Sequence, residues 1–384
     1  MLFADKFYMS TRLLICDDSN MARKQVARAL PDDWEVEISF AHDGVEAIKA
    51  IKEGKGDVLL LDLNMPNMDG YQVLDNIIKQ DLHCLVVVIS GDIQPEAHKR
   101  VISMGALDFI KKPVSEEKLT DVLLAYGIFT RKKKIVVQTL DNTNKVITPA
   151  LSPFANEHLV KASLPKMTIP EPIAIDFEST VADDNYILTS EMRDCYQEIS
   201  NVAMGRAGDL LARLMDVFVV LPIPNVNFIE VSEMRMALSA IESRESTSGI
   251  CQGFISAGIS GEALLILSDS GFQDIADLMN YEGQIDTSSE LELLMDLANV
   301  LIGACLNGIS EQLDIKFSQG HPVVLGQHRR VSDLIASNVN KWKKTLAIEI
   351  SYNIENYDVK CDLLLLFTEK SMEALNNKIS YLLD

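Results

Sequence analysis

From about Arg12 to Phe129, short runs of aliphatic and β-branched residues alternate with longer stretches whose apolar positions recur every three or four residues. The short runs Arg12 to Cys16, Glu35 to Ser39, Val58 to Leu61, Leu85 to Ser90 and Asp108 to Ile110 predict five strands, and the stretches between them predict helices. Strands separated by helices make a parallel sheet, so the expected fold is an α/β doubly wound five-stranded sheet with helices on both faces. Three of the runs end in polar groups, namely Asp17-Asp18, Asp62 and Ser90. Ligands in such sheets bind outside the carboxyl ends of the strands, so these groups collect where the fold makes a site.

The periodicity fades after Arg131. Arg131-Lys132-Lys133-Lys134 is followed by Asn142-Thr143-Asn144 and then by Pro149, Pro153, Pro165, Pro170 and Pro172, a composition that reads as a linker. A flexible tether of this length has a root-mean-square span near ~40 Å and gives an effective concentration approaching about millimolar. Four cations after a helix are expected to cap its C-terminal dipole and solvate the boundary. Beyond Ser190 the chain repeats itself at an offset of 98 residues: Asn201/Asn299, Val202/Val300, Gly205/Gly303, Asp216/Asp314, Pro224/Pro322 and Val226/Val324 are identical. Each copy predicts a long helix, a strand through the proline, two further strands and a closing helix. The late strands are expected at Ala263 to Leu267 and Asp362 to Phe367, with helices from about Ser270 and Glu369. Two such copies predict an α+β pseudo-twofold duplicated domain whose strands pair between the halves. The organisation read from the sequence is therefore 10–130, a first domain; 131–189, a linker; and 190–384, a duplicated domain.

Charge narrows the function. The chain has 35 Lys+Arg against 56 Asp+Glu, a net −21, which opposes nonspecific binding to nucleic acid or anionic membranes. The second half also lacks a basic face and a helix-turn-helix signal, which argues against a DNA-binding effector. Cys16, Cys84, Cys195, Cys251, Cys305 and Cys361 form no C-x-x-C pair and mostly sit in apolar runs, as buried thiols of a reducing compartment do. The start Met1-Leu2-Phe3-Ala4-Asp5-Lys6 lacks the order of a secretion signal and the uninterrupted apolar runs are short, so a cytoplasmic protein without membrane insertion is expected. The six histidines show no metal-ligand spacing, leaving oxygens to build any metal site.

Three carboxylates at the ends of adjacent strands repel one another unless a divalent cation neutralises them. Mg²⁺ suits that role, since it takes oxygen ligands and is held by one or two carboxylates plus a phosphate. Asp62 stands in Leu61-Asp62-Leu63-Asn64-Met65-Pro66-Asn67-Met68-Asp69-Gly70, and beside Mg²⁺ it could attack a phosphoryl group to give an acyl phosphate. In order and spacing, Asp17-Asp18, Asp62, Ser90 and Lys112-Pro113 resemble the signature of response-regulator receiver domains over about 120 residues. The resemblance implies that Asp62 is the phosphoacceptor, with a histidine kinase as phosphodonor. It implies Mg²⁺ held by Asp17, Asp18, Asp62 and the Asn64 backbone carbonyl. It implies further that Ser90 and Lys112 bind the phosphoryl group and that Phe109 is the aromatic switch. Asn64 and Asp92 occupy positions that tune dephosphorylation rate in such domains.

In the second half, Glu198 and Asn201 lie three residues apart in a predicted helix and so project from one face. An amide has no useful acid–base chemistry, but it can position a water beside an acyl phosphate, and a neighbouring acid can clamp a cation. Alone, E-x-x-N is the pattern of an ordinary surface pair. The repeat places Asp296 and Asn299 at the equivalent positions of the second copy. With these helices, the run Val219-Val220-Leu221-Pro222-Ile223-Pro224-Asn225-Val226 and the strand after Gly261, residues 190–384 resemble the CheC/CheX/FliY family of chemotaxis phosphatases. The resemblance implies an aspartyl-phosphate phosphatase with Glu198, Asn201, Asp296 and Asn299 as catalytic residues, Asp296 departing from the family by one methylene. It implies as substrate a phosphorylated CheY-like receiver, either a separate protein or the chain's own Asp62, and CheD-like or flagellar proteins as further partners. The alternative is a phosphorylation-controlled binding or scaffold module without phosphatase activity.

Overall fold

The computed structural model describes residues 10–131, 188–230, 246–331, 334 and 344–383. Residues 132–187 of the stretch expected as a linker, with nearly all of the basic run, fall outside the described residues. The first half contains β1 (Thr11–Cys16), α1 (Asn20–Arg28), β2 (Val36–Ala41), α2 (Gly44–Lys52), β3 (Val58–Leu61), α3 (Gly70–Lys79), β4 (Leu85–Ser90), α4 (Pro95–Ser103), β5 (Asp108–Lys111) and α5 (Glu116–Ala125). The strands form one parallel sheet in the order β2-β1-β3-β4-β5. Alternate residues of the central strands point to opposite faces. Leu13, Ile15, Leu60 and Val87 pack with Val26, Leu119 and Leu123, whereas Leu14, Leu59, Leu61 and Val88 pack with Ile48, Val73 and Leu74. Burial on both faces explains why these strands read as continuous apolar runs. Helix starts are fixed by side-chain caps, including an Asp69–Gln72 capping box that opens α3.

The second half contains α6 (Ser190–Met215), β6 (Val219–Val220), β7 (Asn225–Glu230), β8 (Thr247–Ser256), β9 (Ile259–Ser268), α7 (Phe272–Leu278), α8 (Thr287–Leu313), β10 (Ser318–Gln319), β11 (Val323–Arg329), β12 (Lys344–Ile354), β13 (Lys360–Thr368) and α9 (Met372–Leu383). Its sheet runs β10-β8-β9-β13-β12-β6, with β11 beside β8 and β7 beside β12, so strands of each copy pair with the other. Registers obey the pseudo-twofold. Asn225 and Val226 face Glu349 and Ile348, and Val323 and Val324, 98 residues on, face Cys251 and Ile250, 98 residues back. Both long helices end in a left-handed aspartate, Asp216 (φ 53°) and Asp314 (φ 49°).

Two details differ from the sequence reading. Pro224 and Pro322 do not lie within a strand; each sits just before the longer one, because a residue without an N–H interrupts pairing and leaves a separate two-residue strand upstream. The closing helices start at Phe272 and Met372, later than expected, because a 3-10 turn at Asp269–Gly271 and Glu369–Ser371 precedes each. α6 and α8 pack closely on each other over the sheet. A Cβ on Gly308 would stand 2.7 Å from the Ala203 Cα. By length and composition α8 could cross a membrane, but 67% of its most apolar window is buried, with Leu294, Leu297, Leu301 and Ile302 in the core. The two halves form one compact unit. Met21 of α1 joins the core of the second half, beside residues of α6.

Candidate functional site

At the carboxyl ends of the parallel strands, β1 delivers Asp17 and Asp18, β3 delivers Asp62, β4 delivers Ser90, and the residue after β5 is Lys112. A ligand oxygen from each of Asp17, Asp18 and Asp62 falls within 4.8 Å of the others. Lys112 Nζ lies 2.7 Å from Asp17 Oδ2 and 3.3 Å from Asp62 Oδ1, and all three side chains are buried. The Asn64 N–H donates to Asp62 Oδ2 at 3.1 Å, holding that peptide against the cluster. Ser90 is wholly buried, and its Oγ accepts from the Asp92 N–H at 3.2 Å. Phe109 is half-buried and meets the His98 ring edge-on at 5.6 Å between centroids.

Helix α6 closes over this cluster. Glu198 Oε1 lies 3.1 Å from Lys112 Nζ, and Asn201 Oδ1 accepts from the Asn64 side chain at 3.4 Å. Both α6 residues are buried by the contact. One turn earlier, Asp194 accepts from the N–H groups of Asn20 (3.1 Å) and Met21 (2.9 Å), so an acid on α6 satisfies free donors at the start of α1. One turn later, Gly205 lies under the loop after β4. A Cβ there would stand 1.8 Å from the Gly91 carbonyl oxygen, so only glycine admits this approach. Gln94 exchanges two hydrogen bonds of 2.8 Å with the main chain of Val219. Arg100 pairs with both Glu355 oxygens and stacks over Phe218, 3.9 Å from the ring centroid.

The electrostatics of the cluster are unbalanced. Asp17, Asp18, Asp62 and Glu198 gather around Lys112, while Arg23 is spent on the main-chain carbonyls of Asp17 and Asp18. Burial, reinforced by Asp17, pushes Asp18 up to about 7. Burial likewise raises Asp62 and Glu198. It works against the charge on Lys112, but Asp17, Asp62 and Glu198 outweigh it and hold the ammonium well above its ordinary range. Burial also lifts Asp92 to about 6. Asp62 Oδ1 accepts no well-directed hydrogen bond despite its nearness to the lysine. An orphaned, buried carboxylate oxygen in an all-oxygen acidic set fits a hard divalent cation such as Mg²⁺.

The second acid–amide pair is placed differently. Asp296 and Asn299 lie on α8, both exposed, away from the acidic cluster. The sequence reading missed Asp194, Gln94 and the Arg100–Glu355–Phe218 group. Asp194 carried a usable signal, being one turn before Glu198 on the same face and repeated as Glu292. Gln94 and Arg100 carried none.

Residues 13–124 match the family described as the response regulator receiver domain. A protein-glutamate methylesterase/protein-glutamine glutaminase of Geobacter sulfurreducens is 41% identical over 113 residues, 28% of this chain and 30% of that protein. The chain thus spans under a third of the methylesterase's length. The solved structure of Thermotoga maritima FliY is 19% identical, covering 51% of this chain and 99% of that one, with a TM-score of 0.39. Chemotaxis protein CheY of Listeria monocytogenes is 35% identical over 113 residues, 29% of this chain but 94% of that protein. A near-complete CheY-like sequence, a parallel sheet in the order β2-β1-β3-β4-β5 and an acidic cluster at its carboxyl edge agree: through this part the chain belongs to the response-regulator receiver family.

Proposed function

We propose that this protein is a two-component signalling regulator that is phosphorylated on Asp62 and hydrolyses its own phosphoaspartate with Glu198 and Asn201. The observation that carries this reading is the seating of α6 over the acidic cluster, with Glu198 on Lys112 and Asn201 beside Asn64. Of the two substrates left open by the sequence, a separate receiver or the chain's own Asp62, this contact supports the second.

Asp17, Asp18, Asp62 and the Asn64 carbonyl would hold Mg²⁺, which when bound supplies neutralising charge for the carboxylates and the incoming phosphoryl oxygens. A histidine kinase is the phosphodonor that a receiver implies. An Asp62 oxygen bonds to phosphorus, and the donor's bond to phosphorus breaks. Lys112 then pairs with a phosphoryl oxygen, and Ser90 donates its hydroxyl to another. In hydrolysis, the Asn201 amide accepts from a water and orients it in line with the acyl oxygen. The water oxygen bonds to phosphorus, the acyl O–P bond breaks, the Asp62 carboxylate is restored, and phosphate leaves with the water's two protons. Glu198 keeps Lys112 aimed at the site.

The test is the lifetime of radiolabelled phosphate on Asp62. Asn201→Ala should lengthen it about a hundredfold, the scale of losing one oriented reactant. An unchanged lifetime would overturn the catalytic role and leave α6 as a plug. That second reading, a phosphorylation-controlled binding module, draws on the Gln94–Val219 bonds, which tie the loop after Ser90 to the second half.

A further inference from the structure

Hydrolysis at Asp62 would release a phosphate anion beneath a seated helix. Asp62 is 1% exposed, and Ser90, Lys112 and Glu198 around it are buried as well. The cover is tight along α6, where Asp194 accepts from the start of α1 and Gly205 lies against the Gly91 carbonyl. Lifting the helix would break these contacts at every turnover. The cavities left beside α6 therefore decide whether a small anion has another way out.

A cavity of about 510 Å³ opens where the loop after β4, the residues after β5, α6 and α8 meet. Its size is in the range of small-molecule sites. Lys112 is in its wall, and the ammonium of that residue lies 3.3 Å from Asp62 Oδ1. The cation expected to hold the phosphoryl group thus also borders the cavity. Around this inner end stand Lys111 at the close of β5, Lys118 in the first turn of α5 and Arg206 on α6. With Lys112, these cations outnumber the acids of the lining, Asp209 and Glu311, in a chain whose net charge is −21. Asp209 is already taken by Arg213, 2.9 Å away. Neighbouring cavities have a different balance. One of about 400 Å³ that reaches Asp18 sets Asp18 and Asp194 against Arg193 alone, and the one beside Arg100 sets three acids against three cations. A phosphate leaving past Asp18 would be repelled, whereas one leaving past Lys112 is attracted.

Arg206 is the informative member. It pairs with Glu311 of α8, whose side chain is 64% exposed and free to swing into solvent, while that of Arg206 is 30% exposed. At the repeat offset of 98 residues Arg206 corresponds to Ala304, so the duplication does not account for an arginine at this position. The arginine stands on the helix that covers the acidic cluster.

Extending the self-directed reading, on which this inference rests, we propose that this basic cavity is the phosphate passage of the site. It binds the inorganic phosphate released from Asp62 through Arg206 and Lys118, and it admits small acyl phosphates in the opposite direction while α6 stays seated. Glu311 is its gate, giving up Arg206 when the anion arrives. An acyl phosphate that enters passes its phosphoryl group to an Asp62 oxygen, and its own acyl O–P bond breaks to leave a carboxylate.

The test uses the full-length protein with inorganic phosphate and acetyl phosphate as probes. Phosphate affinity is measured by calorimetry with magnesium omitted, so that the acidic cluster repels the anion and the cavity alone is read. Labelling of Asp62 by radioactive acetyl phosphate is then followed with magnesium present. Arg206→Gln and Lys118→Gln should each weaken phosphate binding about tenfold and slow labelling by a similar factor. Glu311→Gln should strengthen binding and speed labelling about threefold. Arg206→Gln and Glu311→Gln break the same ion pair, so a purely structural role would move both variants the same way. Arg193→Gln, which removes a cation from the other cavity, should change neither readout. Absence of phosphate binding, a shift of the same sign in Arg206→Gln and Glu311→Gln, an equal loss in Arg193→Gln, or labelling rates that do not follow phosphate affinity across the series would overturn the proposal. None of these readouts depends on Asn201. Failure of the self-directed reading registers as an unchanged Asp62 phosphate lifetime in Asn201→Ala, and failure of this one in the charge series.

Discussion

Replacing Gly205 by alanine separates docking from folding. The added Cβ would stand 1.8 Å from the Gly91 carbonyl oxygen, 2.5 Å from its carbonyl carbon and 3.1 Å from the Asp92 nitrogen. Real contacts of this kind do not fall below 3.0 Å, so the loop after β4 must retreat from α6 by at least 1.2 Å. The obstacle is backbone on both sides, so no rotamer change relieves it. Asn201 lies one turn before Gly205 on the same helix, and the retreat moves its amide off Asn64 by a similar distance. A displacement of about 1 Å in a positioned group costs around a hundredfold in rate, so phosphate on Asp62 should persist about a hundred times longer. Meanwhile alanine is the better helix former by about 1 kcal/mol, so α6 itself is strengthened and the fold should survive. Radiolabel lifetime and calorimetric melting on the same preparation report the two effects apart. Gly303→Ala is the matched control: nothing obstructs its Cβ, so melting should rise with no change in Asp62 lifetime. A wild-type lifetime in Gly205→Ala would refute the claim that the seated helix is the working arrangement.

Chelation with EDTA should reduce labelling of Asp62 by acetyl phosphate to background, and undiminished labelling would contradict the metal assignment. Lys112→Ala leaves Asp17, Asp62 and Glu198 crowded and buried without their cation, at about 3–5 kcal/mol; urea unfolding should show this, with partial recovery in Mg²⁺. The Arg100–Glu355 pair has side chains 34% and 37% exposed, so screening limits a double-mutant cycle between them to about 0.5–1 kcal/mol. His328, with Nδ1 2.9 Å from Asp269 and Nε2 3.1 Å from Glu290, has its pKa raised above 6.5, chiefly by the Asp269 hydrogen bond. Protonation is therefore favoured in the folded chain, and the stabilisation is complete below about pH 6.5 and lost as pH rises through the folded value. Melting of His328→Gln should fall below wild type at pH 5.5 and coincide with it at pH 9; a deficit that grew with pH would show the sign to be wrong.

The strands most legible in the sequence are those buried on both faces. Val58 to Leu61 and Leu85 to Ser90 are continuous apolar runs that stop at a polar residue, and the observed limits coincide with the run. β2, at the sheet edge, leaves Glu37, Ile38 and Phe40 exposed, so its pattern does not alternate cleanly, and its observed span begins one residue later and ends two later than its pattern suggests. The acidic cluster was legible for a topological reason: each member ends a strand, and a parallel sheet brings those ends to one edge. The acid–amide pair was legible through helical spacing and the repeat. Its seat was not, because that depends on bonds such as Gln94 to Val219 and Asp194 to Met21, between residues 125 and 173 positions apart. No periodicity encodes a contact of that kind.

The duplication makes this difference consequential. Two copies with the same acid–amide spacing suggest two equal sites, yet one is buried and the other open. A covalently attached receiver competes for the first face at an effective concentration of about millimolar, which a separate receiver at micromolar levels does not match. The latch of Arg100 on Glu355 and Phe218 adds to that advantage and is missing from the second copy. Selection on the first face is then for fit to one fixed partner, which accounts for the tight backbone approach at Gly205.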